Sequence, residues 1–225
     1  DDISRLYPAP VPGFFNIGLL HTSADGRAGH ENYAPCSEAQ LAAKGYDYWA
    51  LGHVHAREIL NDDPWIVFPG NLQGRNVRET GKKGCYLVTV DGGEASPEFR
   101  RTDVAGWHVC EVDAEGVETA AGVVDAVREV LRGMIAEGGG GPQAVRLKIG
   151  GRCAAHGELA ADRDKWRSEV RAAATGESAG EVWIEKVLFD TAPAIDFDAV
   201  KKRDDSIGEL LRYVDVISAG GEDFE

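Results

Sequence analysis

Hydrophobic positions in the first hundred residues come in short runs separated by turn-forming residues. "FFNIGLLH" (Phe14 to His21) reads as a buried strand that ends in a histidine. A polar, Gly-containing loop follows between Thr22 and Pro35, and Ser37-Glu38-Ala39-Gln40 fits a capping box opening a short helix that Gly45 can stop. "YDYWALGH" (Tyr46 to His53) reads as a second strand, apolar on both faces, as expected of a sheet covered on both sides. "WIVFPGN" (Trp65 to Asn71) and "GCYLVTV" (Gly84 to Val90) add two more strands, and Asp91-Gly92-Gly93 marks a tight turn. The pattern is α/β with strand-rich stretches.

A second unit is expected to begin near Val104. "GWHVCEVD" reads as a strand, and Val117, Ala121, Val124, Val127, Leu131 and Met134 follow as a helical stripe closed by Gly138 to Gly141. "AVRLKIGG" is a strand, Leu159, Trp166 and Val170 suggest a second helix, and "EVWIEKVLF" a last strand. This strand–helix–strand–helix–strand order predicts a small α+β domain over residues 104–192, after a first domain over 1–103. Residues 193–225 form a polar tail with one amphipathic piece, in which Ile207, Leu210, Leu211, Val214 and Ile217 share a face. Packing on its own chain is the expected use of that stripe; docking on a partner is the alternative.

Composition narrows the function classes. The 225 residues suffice for one large domain or two modest ones, and no run of eighteen apolar residues suggests a membrane span. The N-terminal stretch lacks the basic and apolar regions of a signal peptide. Cys36, Cys85, Cys110 and Cys153 form no Cys-x-x-Cys pair, which points to a reduced, cytoplasmic chain without a disulfide framework. A formal charge of −14 argues against a broad basic surface holding nucleic acid, but leaves open an enzyme that meets phosphate through metal ions. The run "GRNVRETGKKG" (Gly74 to Gly84) is locally basic against this background.

Histidines carry the candidate chemistry. His21 follows one apolar strand, and His53 and His55 follow another. Side chains two apart on an extended segment project to one side, so His53 and His55 can face one cleft. If the two strands are parallel neighbours, His21 reaches the same edge, and open α/β sheets place ligands at the carboxyl ends of strands. Neutral imidazole is a common ligand for Zn, Mn and Fe. Spacing alone equally allows a single zinc held by three histidines with an open water position.

The segments "FNIGLLHTS", "HENYAP", "GYDYWALGHVHARE", "VFPGNLQGR" and "RETGKKGCYLV", in this order and spacing, resemble the calcineurin-like metallophosphoesterases. More narrowly they resemble bacterial DNA-repair exonucleases of the SbcD/YhaO type, and "RLKIGGRCAAHGEL" and "VWIEKVLFDTAP" look like that family's small capping domain. The resemblance implies the C-terminal half of a β-sandwich with α/β/β/α layers, followed by the α+β capping domain. It also implies two divalent metals, usually manganese, with His21 and His53 on one and His55 on the other. Two metals about 3.5–4 Å apart can clamp a phosphodiester, activate water and stabilise the leaving oxygen. DNA is the implied substrate and an SbcC-like ATPase the implied partner.

This sequence departs widely from the family's pattern. The Asp-x-His, Gly-Asp-x-x-Asp and Gly-Asn-His-Asp motifs that supply carboxylates, an Asn ligand and the catalytic histidine do not occur. The chain is therefore expected to be inactive alone, to contain no catalytic residue of its own, and to expose apolar surface that a second copy or another chain covers. His30, Asn71, Arg75 and Arg78 are candidates to meet substrate; for the two arginines, salt bridging with Glu79 is the alternative. His108 and His156 are expected not to be ligands. Other readings are a phosphoesterase acting on small phosphoesters and a non-catalytic scaffolding relative.

Overall fold

In the computed structural model, which describes residues 2–24, 33–138 and 140–218, the early apolar runs form a four-stranded sheet. Its strands are β1 (Ile17–His21), β2 (Tyr48–Gly52), β3 (Glu58–Asp62) and β4 (Trp65–Phe68), in the order β1-β2-β4-β3. β1, β2 and β4 are parallel, and β3 runs antiparallel to β4 at the edge. The crossover from β1 to β2 contains α1 (Glu38–Ala42), since parallel neighbours cannot be joined by a tight turn. Ser37 and Gln40 form the expected reciprocal cap on α1: the Ser37 hydroxyl accepts from the Gln40 N–H at 3.1 Å, and the Gln40 side chain accepts from the Ser37 N–H at 2.7 Å.

The core of this sheet is built around Trp49, which is fully buried, stacks on Tyr46 at 4.9 Å between centroids, and donates from its indole N–H to the Leu41 carbonyl at 3.1 Å. Its ring lies over β1 where the sequence has Gly18; a Cβ there would sit 2.2 Å from the ring. Burying an indole of this size is worth about 4–6 kcal/mol of transfer free energy. Leu20, Leu41, Leu51, Ile66 and Phe68 belong to the same cluster. β2 is buried at Tyr48, Trp49 and Leu51, so both of its faces are largely covered, as its composition indicates. β1 differs from the buried strand expected: Gly18 and Leu20 point inward, while Ile17 and Leu19 are exposed. It lies at the edge of the sheet, where only one of its faces has a covering layer.

A hairpin follows, β5 (Gly84–Asp91) with β6 (Glu94–Arg101), turned by Gly92 and Gly93 at φ of 58° and 92°. Both turn residues need positive φ, which explains the paired glycines. Neither β3 nor β6 stands out in the hydrophobic pattern, because each is a half-exposed edge strand rich in charge.

The remaining elements are β7 (Gly106–Asp113), α2 (Ala120–Gly138), β8 (Gln143–Cys153), α3 (His156–Ala161), α4 (Arg163–Ser178), β9 (Val182–Pro193), α5 (Phe197–Lys201) and α6 (Ser206–Ser218). The chain divides into two compact units: Asp1–Val109 with Gly138–Val145 and Glu181–Trp183, and Cys110–Glu137 with Arg146–Gly180 and Ile184–Glu225. The order β7-β8-β9 forms one sheet. Sequence order leaves strand direction open, and the bonds decide it. Gly106 donates to Pro142 and Ala114 to Gly150, while Gln143 donates to Glu181 and Ala194 to Cys153, so both pairs advance in the same sense and are parallel. β8 sorts Val145, Leu147 and Ile149 to a buried face. Arg146 and Lys148 lie on the other, paired with Glu185 and Glu111 on the neighbouring strands.

Helix α2 begins at Ala120, and its buried positions are Ala120, Val123, Val124, Val127 and Leu131. Val124, Val127 and Leu131 are thus buried as expected, whereas at the start of the stripe Ala120 and Val123 are buried in place of Ala121, which is exposed, and Val117 precedes the helix. Leu159, Trp166 and Val170 are buried as expected but belong to two helices, because Asp162 breaks the run at φ −146° and caps α4 by accepting from the Lys165 N–H. The four cysteines are free thiols, three of them buried. Among the described residues no helix is long and apolar enough to cross a membrane. On α6, Ile207, Leu210, Val214 and Ile217 are exposed and only Leu211 is half-buried, so most of this stripe is not packed on its own chain as expected. Beside it, Gly208 is buried at α5, where a Cβ would come within 2.3 Å of the Arg203 carbonyl oxygen.

Candidate metal centre

Parallel pairing of β1 and β2 sets Leu20 beside Leu51 and His21 beside Gly52, so His21 and His53 emerge together at the carboxyl edge of the sheet. The ladder continues one step further, with the Thr22 N–H donating to the Gly52 carbonyl at 3.2 Å. His53 Nδ1 and His21 Nε2 lie 3.2 Å apart, with ring centroids at 5.1 Å and planes at 76°. Gly52 makes this possible, since a Cβ there would sit 2.9 Å from His21 Nδ1. The glycine that precedes the His-x-His pair therefore clears the space into which the His21 ring folds. His53 itself turns the chain with φ of 99°, a region that costs a non-glycine residue about 1–3 kcal/mol and is found mainly where function demands it.

The spacing of the pair fits a shared cation. Two imidazole nitrogens bound at about 2.0–2.1 Å with a tetrahedral angle lie about 3.3 Å apart. Without an ion, one nitrogen donates to the other. With one, both lone pairs converge. Tyr33 borders the same edge, edge-on to His21 at 5.3 Å and stacked on His53 at 6.0 Å with 23° between planes.

His55 is held differently. Its Nδ1 contacts Glu79 Oε1 at 2.8 Å. The same carboxylate accepts from the Arg75 backbone N–H at 2.7 Å, from Asn71 Nδ2 at 2.9 Å and from the Arg75 guanidinium at 3.3 Å. Burial pushes the Glu79 carboxyl up, but the Arg75 N–H, His55 and the Arg75 side chain together outweigh it and bring it to about 2. Glu79 is therefore ionised at neutral pH, and a 2.8 Å contact to a carboxylate requires a proton on His55 Nδ1. Arg75 also approaches His55 Nδ1 at 3.4 Å, which would favour the opposite tautomer, but the shorter, charge-assisted contact to Glu79 governs.

Gly70, at φ 79°, brings the β4 loop against the His55 backbone: a Cβ there would be 2.8 Å from the His55 carbonyl oxygen. That carbonyl accepts from the Asn71 N–H and from Lys83 Nζ, both at 3.3 Å. The loop after Asn71 is braced in turn by Gln73, whose Oε1 accepts from the Val104 N–H at 2.8 Å, and by Trp107, whose indole donates to the Gly74 carbonyl at 2.9 Å.

Each expected site residue except His30 thus has a definite place. His21 and His53 come together and His55 stands on the following loop. The arrangement of three histidines on one zinc is not assembled, since no group of three His, Cys, Asp or Glu side chains suited to an ion occurs among the described residues. Asn71 spends its amide on Glu79 and the Gln73 carbonyl, and Arg75 is partnered by Glu79. Arg78 is exposed, with its backbone N–H donating to Asn76 Oδ1. His30 lies outside the described residues. His108 and His156 are engaged elsewhere, with Gln143 at 2.7 Å and Thr191 at 3.0 Å. Sequence reasoning passed over Glu79 as a site residue, and Tyr33 altogether. The signal for Glu79 was its isolation, a single acid within a basic run.

Residues 107–192 match the family model described as metallophosphoesterase YhaO, middle domain. The chain is 38% identical over 138 residues to the uncharacterized metallophosphoesterase YhaO of Bacillus subtilis (strain 168), an alignment covering 61% of this chain and 33% of that protein. The chain spans about one third of the length of this curated relative. Both matches are to proteins described as metallophosphoesterases.

Proposed function

We propose that this chain contributes the imidazole half of a two-metal phosphodiesterase centre acting on DNA ends, in the manner of an SbcD-type repair exonuclease. The observation that carries the reading is the His53–His21 pair at the carboxyl edge of a parallel sheet, spaced 3.2 Å for one cation, with His55 on the adjoining loop. His21 and His53 would hold one ion and His55 the other, manganese being the expected metal. When bound, the ions would activate water and stabilise the leaving oxygen of the phosphodiester. Arg75, beside His55, and Arg78, exposed on the same loop, are suited to steer the phosphate backbone.

Three imidazoles provide no bridging oxygen between two cations. The 225-residue chain alone is therefore expected to turn over slowly or not at all, and a segment bearing carboxylate motifs completes the centre. β1, an edge strand with Ile17 and Leu19 exposed, is the place for such a segment to add strands. A second copy of this chain is the other candidate to cover that surface. The exposed apolar stripe of α6 supports docking to an SbcC-like ATPase, which co-purification with and without residues 193–225 tests.

The activity test combines the chain with a segment carrying the Asp-x-His, Gly-Asp-x-x-Asp and Gly-Asn-His-Asp motifs, with Mn²⁺ and linear duplex DNA. Metal-dependent degradation that His53→Ala abolishes is expected. Cleavage of p-nitrophenyl phosphates in preference to DNA would replace the nuclease reading, and robust turnover by the chain alone would overturn the requirement for carboxylates.

A further inference from the structure

We infer that Glu79 is a positioning residue for His55: its carboxylate holds the His55 ring in the Nδ1–H tautomer and so presents the Nε2 lone pair to a divalent cation. The geometry supports this from both ends of the contact. On the histidine side, Nδ1 lies 2.8 Å from Glu79 Oε1, which leaves Nε2, across the ring, as the nitrogen able to coordinate. Glu79 itself is fixed by two further donors on its other oxygen, the Arg75 N–H at 2.7 Å and Asn71 Nδ2 at 2.9 Å. The Glu79 side chain is only 11% exposed, against 44% for His55, so a nearly buried anchor orients a ring that faces solvent.

The loop that carries this anchor is itself tied to the His55 backbone. Gly70 passes against the His55 carbonyl, and Asn71 and Lys83 donate to it. Backbone and ring of His55 are thus oriented by one segment, Gly70 to Lys83. A carboxylate behind a ligating histidine fixes its tautomer and raises its basicity, and loss of such a partner costs about 10–100-fold in metal affinity. His53, by contrast, faces His21 through Nδ1, so the two histidines of His-x-His offer opposite ring nitrogens. Asn71, whose place in the loop suggests substrate contact, serves here to hold the anchor.

The tautomer statement concerns the chain as it stands, while the metal statement rests on the proposed function. Two readouts keep them apart. The first is two-bond ¹H–¹⁵N correlation of the histidine rings in the ion-free chain at pH 7.5. The expected result is a protonated Nδ1 and bare Nε2 for His55, reverting in Glu79→Ala to the Nε2–H form that free imidazole side chains favour. An Nε2–H His55 in the unmodified chain, or an unchanged tautomer in Glu79→Ala, overturns the assignment; the unmodified chain decides even if the variant fails to fold. The second readout is titration with Zn²⁺. The His55 Nε2 resonance is expected to shift on binding, with affinity at that site falling about 10–100-fold in Glu79→Ala. Zinc shifts at His21 and His53 with none at His55 would remove the metal role from Glu79 while leaving the histidine pair intact. If no histidine responds to zinc while the Nδ1–H tautomer is observed, the proposed metal centre fails and Glu79 is only a structural anchor.

Discussion

Replacing Gly52 by alanine tests the packing of the candidate centre with a single methyl group. The added Cβ would sit 2.9 Å from His21 Nδ1, whereas a relaxed contact of this kind needs about 3.5 Å, so the His21 ring must move by about 0.6 Å. Gly52 lacks a positive φ, so alanine brings no backbone strain, and it gains a little from the smaller entropy of the unfolded chain. His21 is exposed at the sheet edge and can swing away, so the net change in stability should stay within about 1 kcal/mol, the low end of overpacking costs. Metal binding is less tolerant. Ligand distances are held to about ±0.2 Å, and a shift of about 0.6 Å separates Nε2 of His21 from Nδ1 of His53 beyond a common ion. Affinity at the pair should fall at least about tenfold, roughly 1.4 kcal/mol. Zinc competition against a chromophoric chelator reads the affinity, and thermal denaturation reads the fold. A Gly52→Ala chain that binds zinc as tightly as the unmodified one would refute the claim that the glycine exists to seat His21.

Other consequences are measurable on the same chain. Glu79 has a folded-state carboxyl depressed to about 2, so the stability it contributes is fully present above about pH 4.5 and is lost as pH falls towards 2. The contribution is on the order of 2–3 kcal/mol, and urea unfolding at pH 6 and pH 3 should show Glu79→Ala costing distinctly less at the lower value. Equal costs at both would contradict it. Leu131, fully buried on α2, should lose about 2–5 kcal/mol on truncation to alanine, read by denaturant midpoint. On α6, Leu210 is 61% and Val214 46% exposed, so Leu210→Lys with Val214→Lys should leave the unfolding midpoint within about 0.5 kcal/mol of the original. Any concentration-dependent association seen by light scattering should disappear in that pair; a large loss of stability would show instead that the stripe packs internally.

The sheet and the histidine pair were legible because they rest on local signals. Apolar runs of four or five residues, turn glycines and the Ser37–Gln40 cap each act over a few residues, and His21 and His53 follow from two parallel strands ending together. Two edge strands, β3 and β6, were not legible: they bury little, so their composition resembles loop. On α2 only the first position of the stripe was missed, because Ala120 and Ala121 look alike in a pattern and only packing distinguishes them. Nor could periodicity reveal that Glu79, 24 residues beyond His55, turns back to orient it. That contact depends on the close approach of the Gly70 loop, which is a tertiary fact.

The central claim is that His21 and His53 converge on one cation. Crystals of the chain soaked in Zn²⁺ and measured at the zinc absorption edge test it most directly. An anomalous peak about 2.0–2.1 Å from both His21 Nε2 and His53 Nδ1 is expected. A chain that binds zinc only elsewhere, with the 3.2 Å His53–His21 contact undisturbed, would contradict it.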